Sequence, residues 1–326
     1  MSSFHLRSDA VQSQDTMASE IKRPESKDRP AASTSLTAAI NVLRLHQWIK
    51  NVLVFAPLVL GGKASHLDIW RDALIGFTAF GLTASGTYII NDICDREHDR
   101  HHALKSSRPI ASGALSMSVA VMLSTICILT GLALGYRLEL AAFYLLLLYV
   151  ALTLAYSLRL RSLPIVDVVT IAGLFTLRLA FGTALAGVRW SPWLLVLSMA
   201  TFLSLALAKR FAEVSASSEG DETIAGRGYM SRDLPFIRSF GVASATAGVL
   251  TMVIYLINEA FSRQVYAHPQ ALWAVPIILL LFFSRIWLTA ERGDLTGDPV
   301  TFALTDKDCI FYGVMLLVVF FVALAA

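Results

Sequence analysis

The sequence predicts an all-α protein that crosses a lipid bilayer many times. Of its 326 residues, 56% are hydrophobic and only 16% are charged, whereas about a quarter of an ordinary soluble domain is charged. The apolar residues form continuous blocks of about twenty, the length that a helix needs to cross a bilayer. The alternating pattern of a membrane β-barrel is not seen. These observations predict a polytopic bundle of transmembrane helices.

Nine apolar blocks follow a polar N-terminal segment. Residues 1–36 are rich in Ser, Asp, Lys and Pro and lack a signal-peptide core, so we predict a disordered tail there. Residues 37–326 are predicted to form one transmembrane catalytic domain. Its nine predicted spans cover residues 41–61, 70–91, 114–135, 139–157, 164–187, 191–213, 236–258, 270–290 and 309–326.

Lys and Arg are concentrated in one set of loops, although the net charge is only +3. The loops after the second, fourth, sixth and eighth predicted spans are much richer in them than the intervening loops. By the positive-inside rule, these loops and the N-terminal tail are predicted to lie in the cytoplasm. Polar residues thus crowd one membrane surface, whereas a transporter usually carries them at mid-span.

The most unusual stretch follows the second predicted span and runs from Asn91 to Asp99. Charge near lipid is costly unless it is paired or metal-bound. On a continuous helix, Asp92, Asp95 and Asp99 would share one face and repel one another, so we predict that a cation neutralises them. Hard oxygen ligands suit Mg2+, which bridges carboxylates to substrate phosphates. The alternative interpretation is a solvated, charged helix end.

The cysteines and histidines of the chain argue against a disulfide framework and a zinc site. Cys94, Cys127 and Cys309 are scattered and odd in number, so they predict neither a disulfide framework nor a zinc site. The histidines that follow the acidic residues are interpreted as solvent-facing loop residues. Nothing in the charge pattern supports nucleic-acid binding.

The first predicted span begins with an unusually polar stretch. Arg44, Gln47 and Asn51 share a helical face, and Lys50 lies at its edge. Trp48 and Lys50 have an alternative role as an interfacial anchor. Gln47 and Asn51 have no anchoring function, so we predict that this stretch faces substrate.

Two further loops on the same side carry cations. Lys209 and Arg210 end the sixth predicted span, where they either bind phosphate or anchor the helix at the membrane surface. Tyr156, Ser157 and Arg159 end the fourth predicted span. They either recognise phosphate or hydroxyl groups or belong to an interface belt.

Arg178 lies deep in the fifth predicted span. An arginine within the membrane is a functional candidate and needs a partner from another helix. Asp167 does not pair with it directly, because eleven positions on a helix span about 16 Å.

A family resemblance rests on three motifs: Asn91-Asp92-x-x-Asp95-x-x-x-Asp99, Lys105-x-x-Arg108-Pro109-Ile110-x-x-Gly113 and Tyr156-Ser157. Over residues 38–326 the chain resembles the UbiA superfamily of intramembrane prenyltransferases. The resemblance implies a nine-helix bundle in which two Asp-rich loops hold Mg2+ on a prenyl diphosphate. The second loop departs from this pattern, because Lys209-Arg210-x-x-Glu213 places cations where most members have carboxylates. With the stretch 47–51, this is similar to the decaprenyl-phosphate phosphoribosyltransferase branch.

The branch implies transfer of 5-phosphoribose from phosphoribosyl pyrophosphate to polyprenyl phosphate in a bacterial inner membrane. The product feeds lipid-linked arabinose donors, for a cell-wall polymer or a nodulation factor. The implied catalytic groups are Asp92, Asp95 and Asp99, which hold Mg2+, and Lys209. The implied substrate contacts are Gln47, Lys50, Asn51, Tyr88, Asn91, Lys105, Arg108, Tyr156, Ser157, Arg159, Arg178, Arg210 and Glu213. A homo-oligomer is compatible with this reading.

Two alternative functions stay open. The first is a prenyltransferase that uses a prenyl diphosphate donor and an aromatic acceptor; the cations at 209 and 210 argue against it. The second is a membrane transporter or lipid-binding protein without enzymatic activity.

Overall fold

A computed structural model describes residues 35–101, 105–216, 228–263, 265–295 and 297–324. Within these ranges every regular element is helical, and eight helices are long and apolar enough to cross a membrane. The all-helical membrane architecture predicted from the sequence is confirmed. Residues 1–34 of the predicted tail and residues 217–227 of the second charged loop lie outside the described ranges.

The first predicted span is divided into three short helices. Helix α1 (Ser35–Val42) is followed by a 3-10 helix (Leu45–Phe55) and by α2 (Ala56–Leu60). The chain turns at Arg44, which has a left-handed backbone conformation with φ 51°, and Pro57 lies in the first turn of α2. Because none of these helices has the length of a membrane span, the count of nine spans is approximate.

The other eight predicted spans correspond to long helices, whose bounds differ from the predicted ones by a few residues. Together with two short helices they are, in chain order, α3 (Leu67–Cys94), α4 (Arg96–His101), α5 (Met117–Leu138), α6 (Leu140–Leu158), α7 (Val166–Ala186), α8 (Pro192–Ala216), α9 (Leu234–Tyr255), α10 (Ala274–Glu291), α11 (Pro299–Ala303) and α12 (Lys307–Leu324). The helices α3, α6, α8 and α10 finish at the same end of the bundle. We call it the acidic end.

Local chemistry explains several of these helix bounds. Ser116 precedes α5, and its hydroxyl accepts a hydrogen bond from the Val119 N–H. Asp298 precedes α11, and its carboxylate accepts from the Val300 N–H. Both are side-chain caps that satisfy amides at a helix start. Gly187 ends α7 in the left-handed conformation (φ 59°) that favours glycine.

Small residues allow the helices to approach closely. The Ser124 hydroxyl on α5 donates to the Gly86 carbonyl on α3 at 2.8 Å. A Cβ added at Gly182 on α7 would collide with the Val54 carbonyl of the 3-10 helix. Such contacts bring backbones together in membrane proteins, and the one at Gly182 holds the 3-10 helix against the C-terminal part of α7.

Candidate active site

A cavity of about 440 Å³ lies between the 3-10 helix, α3, α6, α7, α8 and the start of α11. Its lining combines charged and polar side chains with a larger apolar surface, and we call it the polar cavity because of those side chains. Many of the predicted substrate contacts line it, namely Gln47, Lys50, Tyr88, Asn91, Tyr156, Ser157, Arg178 and Lys209. Four polar residues that were not among the predicted contacts line it too, namely Arg44, Tyr149, Thr153 and Asp298. The structure therefore gathers side chains from both ends of the sequence around one polar space.

Two of the three predicted metal ligands meet at one arginine. Nη1 of Arg108 lies 3.0 Å from Oδ1 of Asp92 and 2.7 Å from Oδ2 of Asp99. Arg44 Nη2 also contacts both oxygens of Asp92, at 2.6 and 2.8 Å. Asp92 and Asp99 are buried, whereas the side chains of Arg44 and Arg108 are 23% and 28% exposed. Arg44 lines the polar cavity and also another cavity, of about 330 Å³, which Asp92 and Arg108 line too.

The third acidic residue points elsewhere. Helix α3 ends at Cys94, and Asp95 leaves the helical conformation before α4 begins. Its carboxylate lies 2.7 and 2.8 Å from Nη1 of Arg161 and accepts a hydrogen bond from Asn91 at 3.1 Å. Asp95 therefore pairs with a different arginine from the one that Asp92 and Asp99 share.

The fit of this site to a metal ion depends on the pair rather than on all three residues. No group of three His, Cys, Asp or Glu side chains among the described residues is arranged to hold a metal. Oxygens of Asp92 and Asp99 nevertheless converge on a single nitrogen of Arg108. Two hard carboxylate donors that converge on one cation have the chemistry that Mg2+ prefers, so this pair fits the predicted metal.

Arg210 and Glu213, both predicted substrate contacts, do not line the polar cavity. Arg210 is 1% exposed, and its Nε lies 2.7 Å from Oδ2 of the fully buried Asp167. It also pairs with Glu213, one turn along α8. Their predicted role in substrate binding finds no support in this arrangement. Lys105 and Arg159 are likewise absent from the linings of the three cavities.

Tyr229 belongs to the same group of side chains. It lies near the start of the described segment that begins at residue 228. Its hydroxyl donates to Oδ1 of Asp167 at 2.5 Å and accepts from the Ile165 N–H at 2.7 Å. Burial and the hydrogen bond to Asp167 raise the pKa of Tyr229 above its usual range. The four side chains Asp167, Arg210, Glu213 and Tyr229 thus tie α7 to α8 and to the start of the α9 segment.

Arg178 finds the partner that its place in the membrane requires. Its Nε donates to Oδ1 of Asn51 at 2.9 Å and its Nη1 to the Leu174 carbonyl at 2.6 Å. The guanidinium carbon lies 5.0–5.2 Å from the ring centroids of Phe80, Tyr149 and Phe175. Within the described residues it has no ion pair with a carboxylate. Asn51 is buried behind Arg178, so it orients that arginine and does not line the cavity.

Asp298 is the functional candidate that sequence reasoning missed. Its Oδ2 lies 2.6 Å from Nζ of Lys50, 248 positions earlier in the chain. Burial alone would raise the pKa of Asp298, but the ammonium groups of Lys50 and Lys209 hold it below its usual value. The sequence around Asp298 indicated only a helix start, because an Asp before a Pro is typical of one.

Residues 52–305 match the sequence model of the UbiA prenyltransferase family. The chain belongs to this family. It is 40% identical over 296 residues to an uncharacterized protein, y4nM, of Sinorhizobium fredii, a match that spans 90% of this chain and 57% of that protein. It is 28% identical over 276 residues to the decaprenyl-phosphate phosphoribosyltransferase of Mycobacterium tuberculosis, spanning 83% of this chain and 89% of that enzyme.

The fold of the family is also the fold of this chain. A UbiA homolog from Archaeoglobus fulgidus, solved with DMAPP and Mg2+, aligns with a TM-score of 0.64 over 90% of this chain and 98% of that one, at 16% identity. The predicted UbiA-like bundle is therefore confirmed, and Mg2+ is used within the family. This UbiA family member is an integral membrane protein of the prenyltransferase type.

Proposed function

We propose that this UbiA family member transfers 5-phosphoribose from phosphoribosyl pyrophosphate to a polyprenyl phosphate such as decaprenyl phosphate. The products are polyprenylphosphoryl-5-phosphoribose and pyrophosphate, and the first is a step toward lipid-linked arabinose donors. The observation that carries the proposal is the charge of the polar cavity. Among the described residues, four cations line it, Arg44, Lys50, Arg178 and Lys209, and Asp298 is the one carboxylate in its lining. Of these cations, Arg44 is also paired with Asp92, and Lys50 with Asp298.

Such a charge balance suits substrates with several phosphate groups. One prenyl diphosphate and a neutral aromatic acceptor bring a single diphosphate into the site. Phosphoribosyl pyrophosphate and a lipid phosphate together bring a diphosphate and two monophosphates. Excess cations near a substrate site attract and orient such anions, and the name of the M. tuberculosis relative points in the same direction.

The acidic end supplies the groups for the departing pyrophosphate. Asp92 and Asp99 would hold Mg2+ there, with Asp95 as the further predicted ligand, and the ion would supply Lewis-acid neutralisation of charge on the leaving diphosphate. Arg44 and Arg108, now paired with Asp92, are partly exposed and close enough to the cavities to turn toward phosphate oxygens. The acidic end thus offers carboxylates that could hold a metal ion and arginines that could exchange a carboxylate for a phosphate.

The remaining requirement is to bring two anions together at C1 of the ribose. Lys209 faces the polar cavity and screens the repulsion between them, and the hydroxyls of Tyr156 and Ser157 lie beside it. A lipid phosphate is already ionised near pH 7, so the acceptor needs no strong general base. Positioning and fixed charge therefore supply most of the acceleration of an oxocarbenium-like step. The positive-inside pattern of the loops supports an inner-membrane protein whose site opens to the cytoplasm.

An assay with radiolabelled phosphoribosyl pyrophosphate tests the proposal. We expect the purified full-length protein, given polyprenyl phosphate and Mg2+, to move the label into the lipid extract, and to stop when Mg2+ is omitted. The competing function predicts the opposite result: no lipid-extractable label, but product from a labelled prenyl diphosphate and an aromatic acceptor. Lys209→Met should lower the first activity, whereas Lys63→Met, which changes a lysine far from the cavity, should not.

A further inference from the structure

A second, apolar cavity of about 390 Å³ joins the polar cavity. The two share Lys50, Phe175, Phe202 and Val300 in their linings. The rest of the apolar cavity is formed by side chains of the 3-10 helix, α2 and α11, namely Ile49, Val52, Leu53, Phe55, Ala56, Val59 and Leu304. A ligand that occupies both cavities must have a polar group at the junction and a hydrocarbon portion beyond it.

Two cations lie against the same ring at this junction. Nζ of Lys50 is 6.0 Å from the Phe175 centroid, and the guanidinium carbon of Arg178 is 5.1 Å from it. Arg178 is 3% exposed, and within the described residues it has no carboxylate partner. Lys50 has one, Asp298. A buried charge without a counterion is costly, so the junction is a place where an anion is stabilised.

We propose that Lys50 and Arg178 bind the phosphate of the lipid substrate, and that its hydrocarbon chain extends from Phe175 into the apolar cavity. Asp298 is then a positioning residue that holds Lys50 until the phosphate replaces it. This inference rests on the proposed function and refines it, because it separates the lipid phosphate from the groups at the acidic end that receive the phosphoribosyl donor.

The contacts of Asp298 are suited to such an exchange. Its Oδ1 accepts from the Val300 N–H at 2.9 Å as the cap of α11, while its Oδ2 contacts Lys50. Lys50 can therefore leave without freeing the carboxylate from its helix. The side chain of Asp298 is 29% exposed and that of Lys50 is 13% exposed. A phosphate carries more charge than a carboxylate and binds an ammonium group more strongly.

The test compares binding and kinetics in the full-length protein. The probe is a polyprenyl phosphate, and the polyprenol of the same length, which lacks the phosphate, is its reference. We expect the wild type to bind the phosphate more tightly than the alcohol and Lys50→Met to lose this preference. In the transfer reaction, Lys50→Met should raise the KM for polyprenyl phosphate about tenfold, as expected for one charge-assisted contact. The KM for phosphoribosyl pyrophosphate should stay within about twofold, because its groups bind elsewhere.

Further variants keep the test independent of folding. Lys50→Arg preserves the charge and should restore the preference for the phosphate. Asp298→Asn preserves the helix cap and removes the competing charge, so it should bind polyprenyl phosphate more tightly than the wild type does. Asp294→Asn, an exposed position in the same loop, is the matched control and should bind as the wild type does.

The failures of the two proposals are distinguishable. If the wild type prefers the phosphate to the alcohol and transfers no phosphoribose, the proposed function is wrong while the phosphate site is supported. If the wild type transfers phosphoribose but Lys50→Met keeps its KM for the lipid, the phosphate site is overturned alone. Equal binding of polyprenyl phosphate and polyprenol by the wild type also overturns it.

Discussion

The molecule contains two clusters of acidic and basic side chains whose surroundings differ. The acidic-end cluster consists of Asp92, Asp95, Asp99, Arg44, Arg108 and Arg161. The sealed cluster consists of Asp167, Arg210 and Tyr229, and Glu213, whose side chain is 33% exposed, contacts Arg210 at its edge. In the first, the arginines come from loops and are 23–39% exposed. In the second, the central pair is 1% and 0% exposed.

This difference distinguishes a cluster that can bind substrate from a buried pair that only stabilises the fold. A partly exposed arginine can exchange its carboxylate for a phosphate, because water solvates the groups while they change partners. A sealed arginine has no such route, and breaking its pair leaves an uncompensated charge in a medium of low polarity. From the sequence, Asp92, Asp95 and Asp99 were predicted to hold Mg2+ and Arg210 was a candidate for phosphate binding. In the structure, burial distinguishes the two clusters.

The largest expected effect tests the sealed cluster. Arg210→Met leaves Asp167 buried without its cation and should lower the free energy of unfolding by about 3–5 kcal/mol. The measurement is the thermal unfolding of the detergent-purified protein. Arg238→Met is the matched control, because its pair with Glu291 is exposed and separated by 3.6 Å. A stable Arg210→Met protein with lost activity would instead show that Arg210 belongs to the site.

The acidic-end cluster should respond in the opposite way. Asp92→Asn should lower the rate of phosphoribosyl transfer by about 100-fold or more, as removal of one preorganised charged contact does. Its unfolding temperature should change little, because Arg44 and Arg108 are exposed enough to be solvated. Asp72→Asn, near the other end of α3, is the control and should keep full activity. A fully active Asp92→Asn protein would show that Asp92 does not belong to the catalytic metal site.

Sequence patterns predicted the helices better than the contacts. Apolar blocks gave the long helices to within a few residues, because lipid requires every span to satisfy its own backbone. The break at Arg44 was not predicted, since the polar residues around it fit a helix equally well. Lys209 and Arg210 are adjacent, yet one faces the cavity and the other is sealed. Neighbouring residues point in different directions on a helix, and the sequence did not say which of them faces inward.

Long-range contacts explain the other omissions. Asp298 was not predicted because its partner, Lys50, is 248 positions away. Asp95 was placed with Asp92 and Asp99 because of their spacing, and its partner, Arg161, is 66 positions away. The cavity-lining residues of this chain come from several helices, so their partners depend on how those helices meet.

A smaller effect should follow from Tyr229→Phe in the sealed cluster. The hydroxyl binds Asp167 and also the Ile165 amide, and Ile165 has a φ of 67°, which is unusual for a β-branched residue. Loss of these hydrogen bonds should lower the free energy of unfolding by about 1–3 kcal/mol. Thermal unfolding measures it, with the exposed Tyr136→Phe as control. An unchanged stability would mean that Tyr229 does not support this backbone.

The smallest effect concerns Asp298, which resembles the acidic-end cluster in its partial exposure. Its pair with Lys50 should stabilise the fold by at most about 1 kcal/mol, because pairs open to solvent are weak. Since the lysines hold the folded-state pKa of Asp298 below 3.8, this stabilisation is complete above the usual carboxyl pKa. It is lost as the pH falls through the lowered value.

Unfolding temperatures of the wild type and of Asp298→Asn, measured from pH 7 downward, check this dependence. The small difference between them should persist to pH 3.8 and vanish only below it. Saturating polyprenyl phosphate should abolish the difference at every pH, because the phosphate then replaces Asp298 at Lys50. A difference that vanished well above pH 3.8 would contradict the lowered pKa of Asp298. A difference that survived with the lipid bound would show that Lys50 stays paired with Asp298. Its contact with Lys50 would then only stabilise the fold.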